Sequence, residues 1–436
     1  MKTAWLARAV YSAVLLLITP LLLARWWWRG RKEPTYRQHM AERLGYWKAG
    51  KGEGSTGRLW IHAVSLGETR AAASLVEALR RQRPDVRLLL THGTASGRDS
   101  GAKLLRAGDA AAWLPIDTPG AVRRFLQQHQ PLLGVLMETE VWPNLLHAAQ
   151  AAGVPMVQVN ARLSARSAAR GKRLSALLYP AMRSLKRVLA QTEADAQRIR
   201  ATGVPGAFVQ VLGNLKYDMN PPPRLLARGI EWRQALQRPV VLAAVTRKGE
   251  EKPLLQAWRS VAEPRPLLLI VPRHPQRFEE VAALVKEAGM TLALRSAWTG
   301  TPPPEVADVD VWIGDSLGEM PMYYAMADAA LLGGSFAPLG GQNLIEAAAC
   351  GCPLVMGPHT FNFATAAELS LAAGAAVRAP DIGAAVEQVV TLALDPDRNS
   401  WVQRALGFAA SHRGAADRMA YVLLSLMPRS ASAARS

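Results

Sequence analysis

The sequence predicts an α/β protein made of two Rossmann-like domains behind an N-terminal membrane-anchor helix. From Arg58 onward, short aliphatic or β-branched runs alternate with helical stretches, the pattern of parallel sheets covered by helices on both faces. The alternation stops at Asn220-Pro221-Pro222-Pro223 and then restarts, so the triple proline is interpreted as a stiff linker. A chain of 436 residues, half of them hydrophobic, is long enough for two or three domains.

The aliphatic runs predict strands on both sides of the linker. Those before it are Leu59–Ala63, Val86–Thr91, Leu133–Met137, Met156–Asn160, Val188–Gln191 and Val209–Leu212. Those after it are Val240–Ala244, Leu267–Val271, Val309–Ile313, Ala329–Gly333 and Leu354–Met356. Two doubly wound halves leave a cleft between the carboxyl ends of their strands, where ligands bind in such sheets. The predicted domains are residues 33–219 and 220–428, with an anchor at 1–32 and a flexible tail at 429–436.

The anchor is predicted from an uncharged, mostly apolar run, Ala9–Ala24, between Arg8 and Arg25. Three tryptophans follow it and suit the membrane interface, which compensates for a run shorter than the ~20 residues of a comfortable span. A cleaved signal peptide is the alternative, but no small-x-small cleavage site follows the run. The heavier positive flank lies on the carboxyl side, so the positive-inside rule predicts that the main body is cytoplasmic. A helix that lies in the interface without crossing stays open.

Composition points to an anionic partner and a reducing compartment. The net charge of +18 favours nucleic acid, anionic lipid or a phosphorylated substrate. No zinc knuckle, RNP pattern or basic zipper is present, and the aromatic residues do not interleave with the basic ones, so lipid is favoured over nucleic acid. Cys350 and Cys352 are too close for an ordinary disulfide and too few for a structural metal site, and we expect them to be free thiols.

A glycine-rich segment in the second half suits a sugar nucleotide. Gly333-Gly334-Ser335-Phe336 follows a predicted strand, and Gly340-Gly341-Gln342-Asn343 precedes a helix that Leu344 opens. Glycines allow close backbone approach, the helix start can face a phosphate, and Glu346 in the first turn can take a ribose diol. An ordinary strand-loop-helix turn with packing glycines is the alternative.

Charged residues follow the predicted strands of the first half. Glu68 lies at a helix start after the first strand, where either a general base or a stabilising first-turn acid would lie. Glu138 and Glu140 follow another strand at positions i and i+2, which predicts that they share a face. Cations follow at Arg162, Arg166 and Lys216, whereas His62 is expected to be a core residue. In the second half, Val271–Arg277 and Gly314–Met320 are predicted to face the glycine-rich turn.

Taken together, these motifs resemble the 3-deoxy-D-manno-octulosonic acid (Kdo) transferases of lipopolysaccharide assembly. The matching motifs, in family order, are His62–Glu68, Met137–Asn144, Asn160–Ser167, Gly213–Asp218, Val271–Arg277, Gly314–Met320, Asn343 with Glu346, and Gly357–Phe363. The resemblance implies a GT-B glycosyltransferase that moves Kdo from CMP-Kdo to a lipid A precursor, lipid IVA, at the cytoplasmic face of the inner membrane. It also implies inversion at the anomeric carbon, no metal and no cofactor beyond the donor substrate.

The resemblance also assigns roles to single residues. Glu68 matches the base that deprotonates the acceptor's primary hydroxyl. Glu138, Glu140 and Lys216 fall in motifs of the catalytic cleft. The segments that hold CMP contain Pro272, Arg273, Leu317, Gly318, Glu319, Met320, Asn343, Leu344, Ile345 and Glu346. One departure is Val245-Thr246-Arg247-Lys248, where the family usually has Ser-Thr-His-Glu, and any role of that His or Glu is in doubt here.

Two other classes stay open at this stage. One is another membrane-associated GT-B enzyme with a different nucleotide sugar, or a nucleotide-sugar epimerase, which would not need the anchor. The other is a non-catalytic basic protein that docks on anionic lipid. The strand-end carboxylates argue against the second class, because paired carboxylates are costly to bury without a ligand or cations. No nucleic-acid or protein partner is implied, and the number of Kdo residues, the acyl pattern and the oligomeric state are not predicted.

Overall fold

Two compact α/β units make up the chain. The computed structural model describes residues 2–47, 57–218 and 220–428. The first unit takes in the chain up to Asp218 and again from Gly414, and the second unit lies between them in sequence. Each contains a seven-stranded sheet with parallel neighbours, so the predicted fold class is confirmed. The predicted tail at 429–436 lies outside the described residues.

The first unit is built around strands that are buried along most of their length. The strands are β1 (Leu59–His62), β2 (Leu88–His92), β3 (Ala110–Trp113), β4 (Leu133–Met137), β5 (Met156–Ala161), β6 (Arg187–Ala190) and β7 (Val209–Val211), in the order β3-β2-β1-β4-β5-β6-β7. The helices are α1 (Lys2–Arg29), α2 (Leu66–Gln82), α3 (Ala95–Ala102), α4 (Pro119–His129), α5 (Pro143–Ala151), α6 (Ala165–Arg173), α7 (Ser175–Arg183) and α8 (Glu193–Arg200).

The second unit repeats this plan. Its strands are β8 (Val240–Thr246), β9 (Leu267–Pro272), β10 (Leu292–Leu294), β11 (Val311–Ile313), β12 (Ala329–Leu332), β13 (Leu354–Met356) and β14 (Ala376–Arg378), in the order β10-β11-β9-β8-β12-β13-β14. The helices are α9 (Pro223–Leu236), α10 (Glu251–Trp258), α11 (Phe278–Glu287), α12 (Met320–Met326), α13 (Leu344–Ala349), α14 (Ala364–Ala372), α15 (Ile382–Ala393) and α16 (Arg398–Ser411). The last helix, α17 (Ala415–Leu426), belongs to the first unit.

The central strands form because aliphatic side chains are buried on both faces of each sheet. Leu59, Trp60 and Ile61 of β1 are fully buried, as are Val240 and Val241 of β8. Strands covered on both faces have near-continuous hydrophobic sequences instead of alternating ones. Each such strand ends at the same edge of its sheet, and the loops at that edge carry the chemistry.

One predicted domain boundary is wrong. The sequence placed residues up to 428 in the second domain, but α17 packs against α2 in the first unit. Met419 and Leu423 are buried in the same core as Leu75. Asp218 fixes the return point, since its carboxylate accepts hydrogen bonds from the N–H groups of Gly414 and Ala416. The amphipathic character of α17 is satisfied by either sheet, so periodicity alone did not assign it.

Two strands contain a left-handed residue one position before their last residue, which bends the chain toward a loop. In β5 the register shifts between Val159 and Ala161, and Asn160 has φ of 53°. In β8 the shift falls between Ala244 and Thr246, and Val245 has φ of 59°. Asparagine tolerates this conformation, but a β-branched residue is strained there, at a cost of about 1–3 kcal/mol. Strain of this kind collects at functional sites, and Val245 heads the segment that departs from the expected pattern.

Candidate active site

The loop after β1 presents Glu68 at the start of α2. Ser65 caps the helix, because its hydroxyl oxygen accepts a hydrogen bond from the Glu68 N–H at 3.4 Å. The Glu68 carboxylate turns back over the same turn and accepts hydrogen bonds from the Val64 N–H at 2.8 Å and the Ser65 hydroxyl at 3.2 Å. This reciprocal arrangement resembles a capping box, and it holds the carboxylate in one orientation.

The pKa of Glu68 is raised above its ordinary value. Burial is the main cause, and the negative charge of Glu138 adds to it. The hydrogen bonds from Val64 and Ser65 and the charge of Lys216 act in the opposite direction without cancelling the effect of burial. A carboxylate with a raised pKa is a stronger base, so Glu68 is suited to accept a proton from an alcohol.

Glu138 and Glu140 lie on a turn after β4. The strand ends at Met137, and Glu138 has φ of 52°, so the chain leaves the extended conformation at once. The predicted sharing of a strand face is therefore wrong, since strand alternation no longer applies. The turn itself is held by Gln158, whose side-chain amide donates to the carbonyl oxygen of Glu138 at 2.9 Å.

Glu140 is the most perturbed of these carboxyl groups. Burial, together with the nearby charges of Glu68 and Glu138, raises its pKa to about 7. The charges of neighbouring acids thus act on both Glu68 and Glu140. Like charges in one place favour proton uptake, and such a group is a candidate for proton transfer.

Lys216 supplies a cation to this group. Its ammonium lies 3.0 Å from the Glu138 carboxylate, and its side chain is 41% exposed. The short 3-10 turn Leu215–Tyr217 that carries Lys216 is fixed by Asn160, whose side-chain oxygen accepts a hydrogen bond from the Leu215 N–H at 3.0 Å. The left-handed end of β5 therefore positions the lysine, and sequence analysis missed this function of Asn160.

His62 is a structural residue, as expected. It is fully buried, and its Nδ1 lies 2.9 Å from the Thr91 hydroxyl. Burial lowers its pKa to about 3, so the imidazole is neutral at physiological pH. The first unit thus brings Glu68, Glu138, Glu140 and Lys216 together, with His62 in the packing beneath them.

A hollow of about 350 Å³ adjoins the turn of Glu138 and Glu140. Thr139 and Val141 of that turn line it, together with Arg162, Tyr179 and apolar residues of α6 and α7. It offers one guanidinium and an apolar wall, which suits a ligand with both an anionic and an apolar part.

Glu250 holds the glycine-rich turn of the second unit through hydrogen bonds to its backbone. This side chain is buried, and its carboxylate accepts hydrogen bonds from the N–H groups of Gly334 and Arg247 at 2.8 and 2.9 Å. A Cβ at Gly333 would lie 2.4 Å from the carbonyl oxygen of Val245, so glycine is required for this close approach. Sequence analysis did not assign Glu250, although its position in Gly249-Glu250-Glu251 was a signal.

The start of α13 contains four of the predicted donor residues. Asn343 caps the helix by accepting a hydrogen bond from the Ile345 N–H at 3.2 Å. The side chains of Leu344 and Ile345 are buried in the core, so these two residues offer a ligand only their backbone. Burial raises the pKa of Glu346.

The remaining predicted donor residues lie after β9 and β11. Pro272 is the buried last residue of β9, and Arg273 follows it with an exposed side chain. Leu317 is 78% exposed, and Gly318 has φ of 80° and open space around its Cα. Met320 begins α12. Both loops therefore present exposed groups for a ligand.

Glu319 has internal partners. Its carboxylate accepts hydrogen bonds from the Ser316 hydroxyl at 2.6 Å and the Arg295 guanidinium at 3.1 Å. Burial would raise its pKa, but these two contacts outweigh burial and lower it. Glu319 thus stabilises the loop on which Leu317 and Gly318 are exposed.

Within the described residues, no group of three or more His, Cys, Asp or Glu side chains is arranged to hold a metal ion. The thiols of Cys350 and Cys352 are free.

Two α/β units, each with a parallel seven-stranded sheet, define the fold class as GT-B, the architecture of many glycosyltransferases. A glycosyltransferase from Rickettsia africae has the same fold, with a TM-score of 0.54 at 10% identity, over 85% of this chain and 98% of that one. At that identity the likeness shows the fold alone.

Sequence relatives identify the family within that class. The family model for 3-deoxy-D-manno-octulosonic-acid transferases matches residues 38–219. The Kdo transferase of Bordetella pertussis is 46% identical over 95% of this chain and 98% of its own length. That of Haemophilus influenzae is 37% identical over 82% of this chain and 83% of its own length. The chain therefore belongs to the 3-deoxy-D-manno-octulosonic acid transferase family and is a glycosyltransferase of lipopolysaccharide biosynthesis.

Proposed function

We propose that the protein is an inverting, metal-independent glycosyltransferase that moves Kdo from CMP-Kdo to lipid IVA. The observation that carries this proposal is Glu68, a carboxylate whose pKa is raised by burial and whose orientation is fixed by Val64 and Ser65. A single displacement needs one base at the acceptor and a stabilised leaving group. Glu68 supplies the first requirement.

In the proposed step, Glu68 accepts the proton of the acceptor's primary hydroxyl as that oxygen attacks the anomeric carbon of Kdo. The bond from this carbon to the phosphate oxygen of CMP breaks, and CMP leaves with the electron pair. One bond forms as one breaks on the opposite side, so the configuration inverts. Lys216 forms an ion pair with Glu138 beside the base, and Glu140, with a pKa of about 7, is suited to share or pass on the proton.

In the second unit, Arg273 is the proposed partner of the CMP phosphate. Its guanidinium is exposed, and an arginine offers paired N–H groups to phosphate oxygens. The backbone at the start of α13 and the Glu346 side chain are proposed to hold the ribose and phosphate. Gly318 is proposed to let its loop approach the cytosine ring of CMP. Glu319 acts through this loop, which it stabilises.

The proposed acceptor side is the hollow beside Glu138 and Glu140. Arg162 in its wall suits a phosphate of a lipid A precursor, and the apolar residues of α6 and α7 suit acyl chains. The net charge of +18 favours a polyanionic acceptor at an anionic bilayer. We further propose that this activity is located at the cytoplasmic face of the inner membrane.

The test is a reconstituted transfer reaction analysed by mass spectrometry. Purified full-length protein is incubated with CMP-Kdo generated in place and with tetraacylated lipid IVA, in parallel with UDP-sugars and with EDTA. We expect a lipid product heavier by one or more Kdo residues, undiminished by EDTA, and the mass increment counts the sugars added. Product only from a UDP-sugar would overturn the donor, and loss in EDTA would overturn metal independence. No product from any donor, with the protein folded, would favour a lipid-docking protein.

A further inference from the structure

The N-terminal helix α1 is fastened to the first unit at two separate points along its length. It is long and apolar enough to cross a membrane, with a mean hydropathy of 2.0. Near its beginning, the Tyr11 hydroxyl donates to the Asp117 carboxylate at 3.0 Å, and the Asn144 side-chain amide donates to the Ser12 hydroxyl at 3.0 Å. The two partners of α1, Asp117 and Asn144, are both buried.

The second fastening is near the end of α1. The guanidinium of Arg43 lies 3.8 Å from the centre of the Trp26 ring and 4.0 Å from that of Trp113. Arg43 is thus sandwiched between a helix residue and a core residue of the unit. α1 also packs against α5 and α7.

The two fastenings conflict with a helix that crosses the bilayer. Ser12 and Trp26 are 14 positions apart, which is about 21 Å along a helix. If Trp26 lay at the cytoplasmic interface, Ser12 would lie within a hydrocarbon layer that is about 30 Å thick. Asp117 and Asn144 would have to enter the hydrocarbon with it, together with the polar ends of α4 and α5, which is strongly unfavourable.

The opposite face of α1 is apolar and exposed. Its large side chains are between 49% and 78% exposed, and they are Trp5, Leu6, Val10, Val14, Leu16, Leu17, Leu21, Trp27 and Trp28. At 100° per residue these side chains occupy the half of the helix that faces away from Tyr11, Ser12 and Trp26. A contiguous apolar surface of this length needs a partner.

Cations lie near both ends of α1. Arg8 and Arg123 line a hollow of about 730 Å³ where α1 meets α4 and α5. At the other end, Arg25, Arg31 and Lys32 are exposed. Arg8 and Arg25 are about 25 Å apart along the helix, so a spanning helix would place them near opposite leaflets. A helix parallel to the surface instead keeps the exposed Arg25, Arg31 and Lys32 at the headgroups of one leaflet.

We infer that α1 lies in the plane of the membrane and that its exposed face enters one leaflet of anionic lipid, so that the protein is held on one side of the bilayer without crossing it. An in-plane helix buries its apolar face about 5–10 Å deep and gains from cations at the headgroups. The fastenings then orient the first unit against the membrane. This inference does not depend on the identity of the sugar that is transferred.

The side of the membrane reached by the N-terminus tests the inference. An epitope tag is placed before residue 1 of the full chain, and protease is added to inside-out inner-membrane vesicles or to spheroplasts of a Gram-negative host. We expect the tag to be removed together with the main body in the inside-out vesicles and to be protected in spheroplasts. Removal of the tag in spheroplasts, with the main body intact, would show a spanning helix and overturn the inference.

The exposed face is tested by a double substitution, Leu17→Glu with Leu21→Glu. We expect its partition onto vesicles of phosphatidylglycerol and phosphatidylcholine to fall by about tenfold or more. The matched control is Leu394→Glu, an exposed leucine of the second unit that is 51% exposed, and it should partition like the wild type. Unchanged vesicle binding by the double variant would overturn the inference. A wild-type dimer that the variant dissociates, with lipid binding unaffected, would assign the face to a second copy instead.

Discussion

Glu68 and Glu140 of the first unit are held in the opposite way to Glu250 and Glu251 of the second unit. In the second unit, Glu251 receives two hydrogen bonds from Arg277, at 2.5 and 3.0 Å, and Glu250 receives backbone N–H groups. In the first unit, burial raises the pKa of Glu68 and takes that of Glu140 to about 7. A buried carboxylate with dedicated donors stabilises the fold, whereas one that the fold leaves short of positive charge is available for proton transfer.

The largest effect is expected for Glu68→Gln. An amide cannot accept the acceptor's proton, so the turnover rate should fall by about 10²–10⁴-fold. The melting temperature should stay the same or rise, because burial makes the charged form of Glu68 costly. Turnover is measured by product mass, and stability by thermal unfolding.

Glu77→Gln is the matched control on the same helix. Glu77 is 79% exposed and reaches Arg81 only at 4.0 Å, so both its turnover and its melting temperature should match the wild type. Turnover within threefold of the wild type for Glu68→Gln would remove Glu68 from the role of base.

For Glu251→Gln we expect a loss of stability, in contrast to Glu68→Gln. Its partner Arg277 is 11% exposed, and removal of one member of a buried pair costs about 3 kcal/mol of stability. The denaturant midpoint of the second unit should fall accordingly. Glu280→Gln is the control, since Glu280 contacts the same arginine but is 46% exposed and should cost no more than about 0.5 kcal/mol. Equal losses of stability in both variants would contradict the conclusion that the buried Glu251–Arg277 pair stabilises the second unit.

A smaller effect is expected for Arg273→Ala. Its side chain makes no hydrogen bond or ion pair with the described residues, so the melting temperature should not change. Loss of a charge-assisted phosphate contact should raise the KM for CMP-Kdo by about 10–100-fold. Arg259→Ala, at the exposed end of α10, is the control and should leave KM unchanged. A normal KM for Arg273→Ala would place the phosphate elsewhere.

The smallest effect is a pH-dependent gain in stability for Glu140→Gln. The pKa of Glu140 is about 7 in the folded state against 4.5 ordinarily, so the folded state holds its proton more tightly than the unfolded state. The stability that this proton contributes is complete below pH 4.5 and is lost as the pH rises through 7. The variant should therefore exceed the wild type by on the order of 1–3 kcal/mol at pH 8 and match it at pH 4.5. A gain in stability that does not depend on pH would contradict the raised pKa of Glu140.

Edge strands show where prediction from sequence reaches its limit. Every central strand was predicted within a few residues, because a strand covered on both faces has a continuous aliphatic sequence. The strands that were missed, β3, β10 and β14, are all at sheet edges. Ala110–Trp113 is rich in alanine and Ala376–Arg378 has only three residues, so the pairing of each depends on a neighbour that the local pattern does not reveal.

The candidate site shows the same limit. Glu68, Glu138 and Glu140 could be selected because acids at strand ends are unusual, and Lys216 because it lies in a motif of the family. Glu250 and Asn160 were missed as positioning residues, since their function consists of contacts with Gly334 and Leu215, far away in sequence. Burial, which sets the pKa of Glu140, is likewise a property of the packed chain.

Membrane binding through the exposed face of α1 would make the surface concentration of the acceptor, instead of its bulk concentration, set the rate. For an enzyme held at a bilayer by that face, the search for a lipid-linked acceptor takes place in two dimensions. Its rate then follows the mole fraction of acceptor in the leaflet, and added inert lipid slows turnover even when the amount of acceptor per volume is constant. The water-soluble donor still arrives from three dimensions, so dilution with lipid should leave the apparent affinity for the donor unaltered.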